Sequence, residues 1–250
     1  MLDGIPTQAN GLHRLWSSAP ERLVSVLLQT GSESELSLYW TLCKVWSDQG
    51  HRVLVLDGSS AEQARAPGLA QVLAGKTSLH RCVLRASAQL HLLPSADGIR
   101  ALCQQAQRED FDLVQEITDL TPGYDLAVLM AAAQPLAILL RGTDFVPLMS
   151  LGPDEQGVLR SYAALKQMVA QSGLRSALLA VNPPDDEPLA EQAWRGAQRV
   201  QDCARQFLDC AVEIQLVQRH HTVAGAPMNV YPLACRTLGQ ALPWTPHTTY

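Results

Sequence analysis

The sequence predicts an α/β protein with one doubly wound, mostly parallel sheet and helices on both faces. Three observations predict it. Short, nearly continuous apolar runs recur along the chain, as strands covered on both faces require. Between them lie stretches whose apolar residues recur three and four apart, the spacing of amphipathic helices. No linker or break in composition interrupts the alternation, so the 250 residues are read as a single domain, a length that buries a substantial core without staples.

The elements follow in order. Residues 23–29 (LVSVLLQ) are a β-branched apolar run ended by Thr30-Gly31-Ser32. From 33 to 49 the apolar residues fall at Leu36, Tyr39/Trp40, Cys43 and Trp46, which is helical spacing, and Gly50 stops the helix. Residues 52–57 (RVLVLD) read as a second buried strand. Strand, helix and strand predict a βαβ unit whose two strands pair in parallel. A loop-rich helical stretch is expected over 61–86, a strand over 89–93, one helix over 95–119 and a strand over 124–130 (YDLAVLM). Residues 135–142 suit strand or short helix, and helix is preferred because 145–151 is the better strand. Pro153 opens a helix carrying Val158, Tyr162, Leu165 and Val169. A strand at 176–181, the longest helix at 187–209, a strand at 211–217 and a last helix at 229–240 complete the pattern. The α/β domain is expected to span 21–242, with 1–20 before it and a loosely held tail (PWTPHTTY) at 243–250.

Composition narrows the function. An apolar fraction of 47% and a charged fraction of 17% exclude disorder. No apolar run reaches the roughly 18 residues of a membrane span, and the start lacks the basic-then-apolar pattern of a secretory signal. A net charge of -5 with no basic tract argues against nucleic acid as the main partner. Cys43, Cys82, Cys103, Cys203, Cys210 and Cys235 contain no CxxC pair. That scatter suits reduced thiols and a cytoplasmic location.

In a doubly wound fold ligands bind beyond the carboxyl ends of the strands, so the first strand–helix loop is the place to look. A phosphate-binding loop needs glycines, a lysine for the phosphates and a hydroxyl for magnesium. Here the loop reads Gln29-Thr30-Gly31-Ser32-Glu33-Ser34-Glu35-Leu36-Ser37, with one glycine, no lysine and two glutamates. Two carboxylates about 5 Å from a triphosphate would cost several kcal/mol at an effective dielectric of about 20. The dipole of the following helix offsets only ~0.3–1 kcal/mol of that.

Around the loop stand GHRVLVLD at 50–57, GLAQVLAGKTSLHRCV at 68–83, YDLAVLM at 124–130, TDFVPLMSLGPDEQGVLRSYAALK at 143–166 and LLAVN at 178–182. Together these segments resemble the MinD/ParA family of deviant-Walker ATPases. The likeness covers about 23–217. Within the family the flagellar-number regulators FlhG (FleN) are the most similar. Their short N-terminal Asp-Gln-Ala-x-x-Leu-Arg motif resembles Thr7-Gln8-Ala9-Asn10-Gly11-Leu12-His13-Arg14-Leu15, and ARQFLDCAVEIQLV and MNVYPLACRTLGQAL resemble their C-terminal half. The resemblance also implies what is missing. The family's signature lysine falls on Thr30, its phosphate-loop lysine on Glu35 and its magnesium-binding hydroxyl on Leu36. The acid two residues beyond Asp57 is Ser59, and the aspartate near the hydrolytic water is Met130, followed by Ala131-Ala132-Ala133. These replacements imply a pseudo-ATPase that takes no cofactor, whose vestigial loop includes Thr30, Gly31, Glu35 and Leu36.

Other chemistry has a plainer explanation. Asp57 reads as a loop-start or helix-capping carboxylate rather than a vestigial ligand. His220-His221 lack a carboxylate or cysteine at ligand spacing, so no metal is expected. Ser32, Ser34 and Ser37 lack the G-x-S-x-G elbow of a hydrolase. Gly75-Lys76-Thr77 follows a helix and reads as its C-cap. Cys203 and Cys210 are expected to pack from one helix face.

The N-terminal segment has two readings. Leu12, Leu15 and Trp16 stand at helical i, i+3, i+4 positions beside Gln8, His13 and Arg14. They could form a helix docked on their own domain or a peptide that orders on a partner. The resemblance implies a partner, the SRP-type GTPase FlhF or another flagellar assembly or regulatory protein, contacted through Gln8, Ala9, Leu12, His13 and Arg14. The expectation is therefore a non-catalytic regulator of flagellar number or placement that acts through protein contacts. A nucleotide-dependent switch with an unconventional site, or a scaffold of another polar-organelle or secretion system, stands beside it. The residues around which the family dimerises on ATP are missing, which leaves the oligomeric state open. The short proline-containing end after Leu242 argues against membrane attachment.

Overall fold

The computed structural model describes residues 21–59, 67–108, 111–152, 154–182, 187–219 and 228–244. A mixed sheet runs in the order β3 (Leu84–Arg85), β4 (Leu90–Pro94), β2 (Val53–Asp57), β5 (Leu126–Ala131), β1 (Glu21–Leu27), β6 (Leu148–Leu151), β7 (Ser176–Val181), β8 (Ala211–Leu216). From β4 to β8 all neighbours are parallel, while β3 and β11 (Leu242–Trp244) pair antiparallel to β4 and β1. A separate two-stranded ribbon joins β9 (Gln218–Arg219) and β10 (Met228–Asn229).

Alternation along the central strands divides the core in two, because successive side chains point to opposite faces. Val24, Val26, Val53, Val55, Val128 and Met130 pack with α1 (Glu33–Asp48) and α9 (Tyr231–Gly239). Leu23, Leu27, Leu54, Leu56, Ala127 and Leu129 face the other way, toward α4 (Ala96–Gln105), α5 (Leu113–Leu120), α6 (Ala133–Leu139), α7 (Glu155–Ser172) and α8 (Glu187–Leu208). Trp46 is fully buried in α1, and its Nε1 donates to the Ala234 carbonyl at 3.1 Å, which ties α1 to α9.

The fold class is as the sequence predicts, and residues 133–139 are helical as preferred. Several details differ. The first two strands do not pair, because β5 lies between them and is parallel to both. The helix expected over 95–119 is two helices: Asp112 caps the second, its Oδ1 accepting from the Val114 and Gln115 amides at 2.8 and 3.2 Å. The stretch 61–86 contributes α2 (Leu69–Leu73), α3 (Leu79–Cys82) and the edge strand β3, which was expected to be helical. The strand expected at 145–151 is confined to β6, and the last helix begins at Tyr231, after β10. Part of the expected tail is ordered in the sheet, where Leu242, Pro243 and Trp244 pair with Leu23, Arg22 and Glu21. Cys210 lies beyond α8, which ends at Leu208 because Asp209 turns to a φ of 50°, a conformation that Asp tolerates better than most residues. No helix among the described residues is long and apolar enough to cross a membrane.

Candidate functional site

Beyond the carboxyl end of β1 the chain turns through Leu28 to Gly31 into α1, whose N-cap is Ser32. Gly31 has φ +63°, the left-handed conformation that glycine adopts without strain. This turn aims three successive amides, those of Gln29, Thr30 and Gly31, at one point. Such a run of converging N–H groups at a helix N-terminus is an anion cradle.

The cradle is filled by the chain itself. Glu35 is only 4% exposed. Its Oε1 accepts from the Gln29 amide at 2.9 Å, and its Oε2 from the Thr30 and Gly31 amides at 3.0 and 2.8 Å. The Thr30 hydroxyl donates to Oε2 at 3.1 Å and the Ser150 hydroxyl to Oε1 at 3.3 Å. A buried carboxylate is costly unless donors surround it, and here five do. The Ser32 hydroxyl accepts the Glu35 amide at 3.4 Å, closing one half of a capping box. The other half reaches past Ser32 into the loop before it.

Neighbouring residues hold this arrangement. The Gln29 amide group spans three elements, its Nε2 donating to the Ser150 carbonyl at 2.7 Å and its Oε1 accepting from the Ser161 hydroxyl at 3.2 Å. The Tyr39 hydroxyl, one turn along α1 from Glu35, donates to the Leu27 carbonyl at 3.0 Å. Burial, reinforced by the Glu35 charge, pushes the Tyr39 phenol well above its ordinary range, so it stays protonated as a donor. Beside the cradle opens a cavity of about 350 Å³ between the loop, β6 and the start of α7, lined by Thr30, Ser32, Ser34, Gly152, Asp154 and Arg160 among others. Asp154 caps α7 through the Gly157 amide at 2.7 Å and lies 3.4 Å from Arg160 Nη2.

The other residues singled out in the sequence are scattered. Leu36 is half-buried against the core on the α1 side, and Met130 is fully buried there. Asp57 is a loop-start carboxylate, its Oδ1 accepting from the Ser59 amide at 2.8 Å. The GKT stretch ends α2: Gly75 and Lys76 amides donate to the Val72 and Gln71 carbonyls at 2.9 and 3.0 Å, the paired bonds of a Schellman cap. Gln8, Ala9, Leu12, His13 and Arg14, and His220-His221, lie outside the described residues. Sequence reasoning identified Glu35 but missed Gln29, Tyr39, Ser150 and Ser161. The Ser32-x-x-Glu35 capping-box pattern was the available signal that the carboxylate folds back toward the loop.

No protein-family model and no curated relative matches the chain. Solved structures do. The MinD cell division protein of Aquifex aeolicus matches with a TM-score of 0.54 at 15% identity, over 90% of this chain and 100% of its own. Cobyrinic acid a,c-diamide synthase of Mycobacterium smegmatis, with a bound ATP analogue and magnesium, matches with a TM-score of 0.57 at 16% identity, over 90% and 100%. A plasmid partition protein of Borrelia burgdorferi gives 0.54 at 10% identity, over 88% and 97%. With its mostly parallel sheet and helices on both faces, the chain has a MinD/ParA-like fold.

Proposed function

We propose that the chain is a non-catalytic member of the MinD/ParA family, akin to FlhG, that regulates flagellar number or placement through protein contacts. One observation carries the loss of catalysis. The loop amides that would receive a phosphate are saturated by Glu35, at the position where the resemblance puts the phosphate-loop lysine. A nucleotide would have to displace a buried carboxylate held by five donors and then bind without a lysine. The partner is an FlhF-type GTPase, engaged by Gln8 to Arg14, with Leu12 as anchor and Arg14 as a charge-assisted donor.

Calorimetric titration with ATP·Mg tests the central claim. No binding is expected, and a dissociation constant of tens of micromolar or tighter would overturn it. A second reading, a nucleotide switch with an unconventional site, draws on the cavity of about 350 Å³ beside the loop. The same titration decides between the two.

A further inference from the structure

We infer that Glu35 is an intramolecular ligand: its carboxylate stands where an external oxyanion would stand, and holds the loop and the first turn of α1 permanently in an anion-bound arrangement. The inference deepens the reading above, since it presumes that the loop no longer serves a nucleotide. Three features support it. The amides of Gln29, Thr30 and Gly31 converge on the carboxylate as they would on phosphate oxygens, all within 3.0 Å. The Thr30 and Ser150 hydroxyls complete the shell, as hydroxyls do around a bound oxyanion. Glu35 also forms part of the wall of the adjoining cavity, so removing the carboxylate opens the cradle to solvent on that side.

A simple helix cap would use one or two amides of its own first turn. This carboxylate instead reaches back to residues 29, 30 and 31, before the cap, and across to β6. The loop is thus an oxyanion site kept latent by one side chain. The chemical class of ligand it takes once opened is a small oxyanion such as phosphate, sulfate or acetate. In the intact protein no ligand is needed to set the loop, and the surface it presents does not depend on nucleotide supply.

The test compares wild type with Glu35→Ala in the full chain. The variant is expected to melt several degrees lower, with faster hydrogen exchange at the Gln29 to Gly31 amides. Millimolar inorganic phosphate or sulfate should then raise its midpoint and slow that exchange, against chloride at equal ionic strength. Wild type should not respond. Glu35→Gln, which keeps one acceptor oxygen, should fall between the two and respond weakly. Should Glu35→Ala fold poorly, its refolding yield with phosphate against chloride gives the same readout. The inference is overturned if the anions leave the variant unchanged, which would make Glu35 a helix cap only, or if wild type responds equally, which would place the anion elsewhere. Failure of the ATP titration is separable: wild type binding ATP would refute the functional reading, whereas anion rescue of the variant reports on the cradle alone.

Discussion

His91 shows how a single side chain ties the fold to pH. Its Nδ1 lies 2.7 Å from the Tyr124 hydroxyl, the rings meet edge-on at 5.5 Å, and its Nε2 is enclosed without a hydrogen-bond partner. Burial lowers its pKa, and the Arg85 and Arg52 charges lower it further. The unfolded chain therefore binds a proton that the folded chain resists. The neutral form's contribution is complete above the unfolded value of about 6.5 and is lost as pH falls from there through the lowered folded value. Wild type should lose melting temperature between pH 7 and pH 5, and His91→Gln, which can still bond Tyr124, should lose less. Parallel slopes would reject this account. At this scale legibility was uneven. That Glu35 stands in the loop between the first strand and the first helix, where a phosphate-binding loop would lie, is plain in the sequence. That its charge is embraced by the loop rather than repelling from it depends on the turn at Gly31 and on Ser150, 115 residues away, and no local pattern reports either.

Among the elements, the central strands were legible because burial on both faces leaves unbroken apolar runs such as VLVLD and LAVLMA. The breaks were less so. Apolar spacing continues from α4 into α5, and only the Asp112 cap marks the new start. Asp112→Ala removes an acceptor for two otherwise unpaired amides and should cost about 1 kcal/mol, read as a lower urea midpoint with unchanged slope. An unaltered midpoint would mean that α5 is positioned by packing alone. Strand β11 escaped notice because a three-residue strand with proline at its centre carries no periodicity, and proline belongs on sheet margins. The placement of β5 between β1 and β2 is a choice of topology that hydrophobic pattern does not encode.

For the molecule as a whole, the apolar layers of the described residues begin at Leu23 and Val24 in β1, and the segment proposed to contact the partner precedes that strand. Deleting residues 2 to 18 should therefore leave the melting temperature nearly unchanged while abolishing binding to, or stimulation of, an FlhF-type GTPase. Full partner activity in the deletion would reject the partner assignment. A collapse in stability would show instead that the segment closes its own domain.

The strand that carries the cradle is also the one whose surroundings are completed last. Val26 and Leu27 pair with β6, but the opening residues of β1 pair with β11, and Arg22 Nη1 donates to the Leu238 carbonyl across a separation of 216 residues. During synthesis β1 emerges before the other strands of its sheet and must wait for nearly the whole domain before that flank is covered. Contacts of such sequence separation form slowly, so an exposed margin of β1 is the stage of biogenesis at which this chain is open to misassembly or to a chaperone.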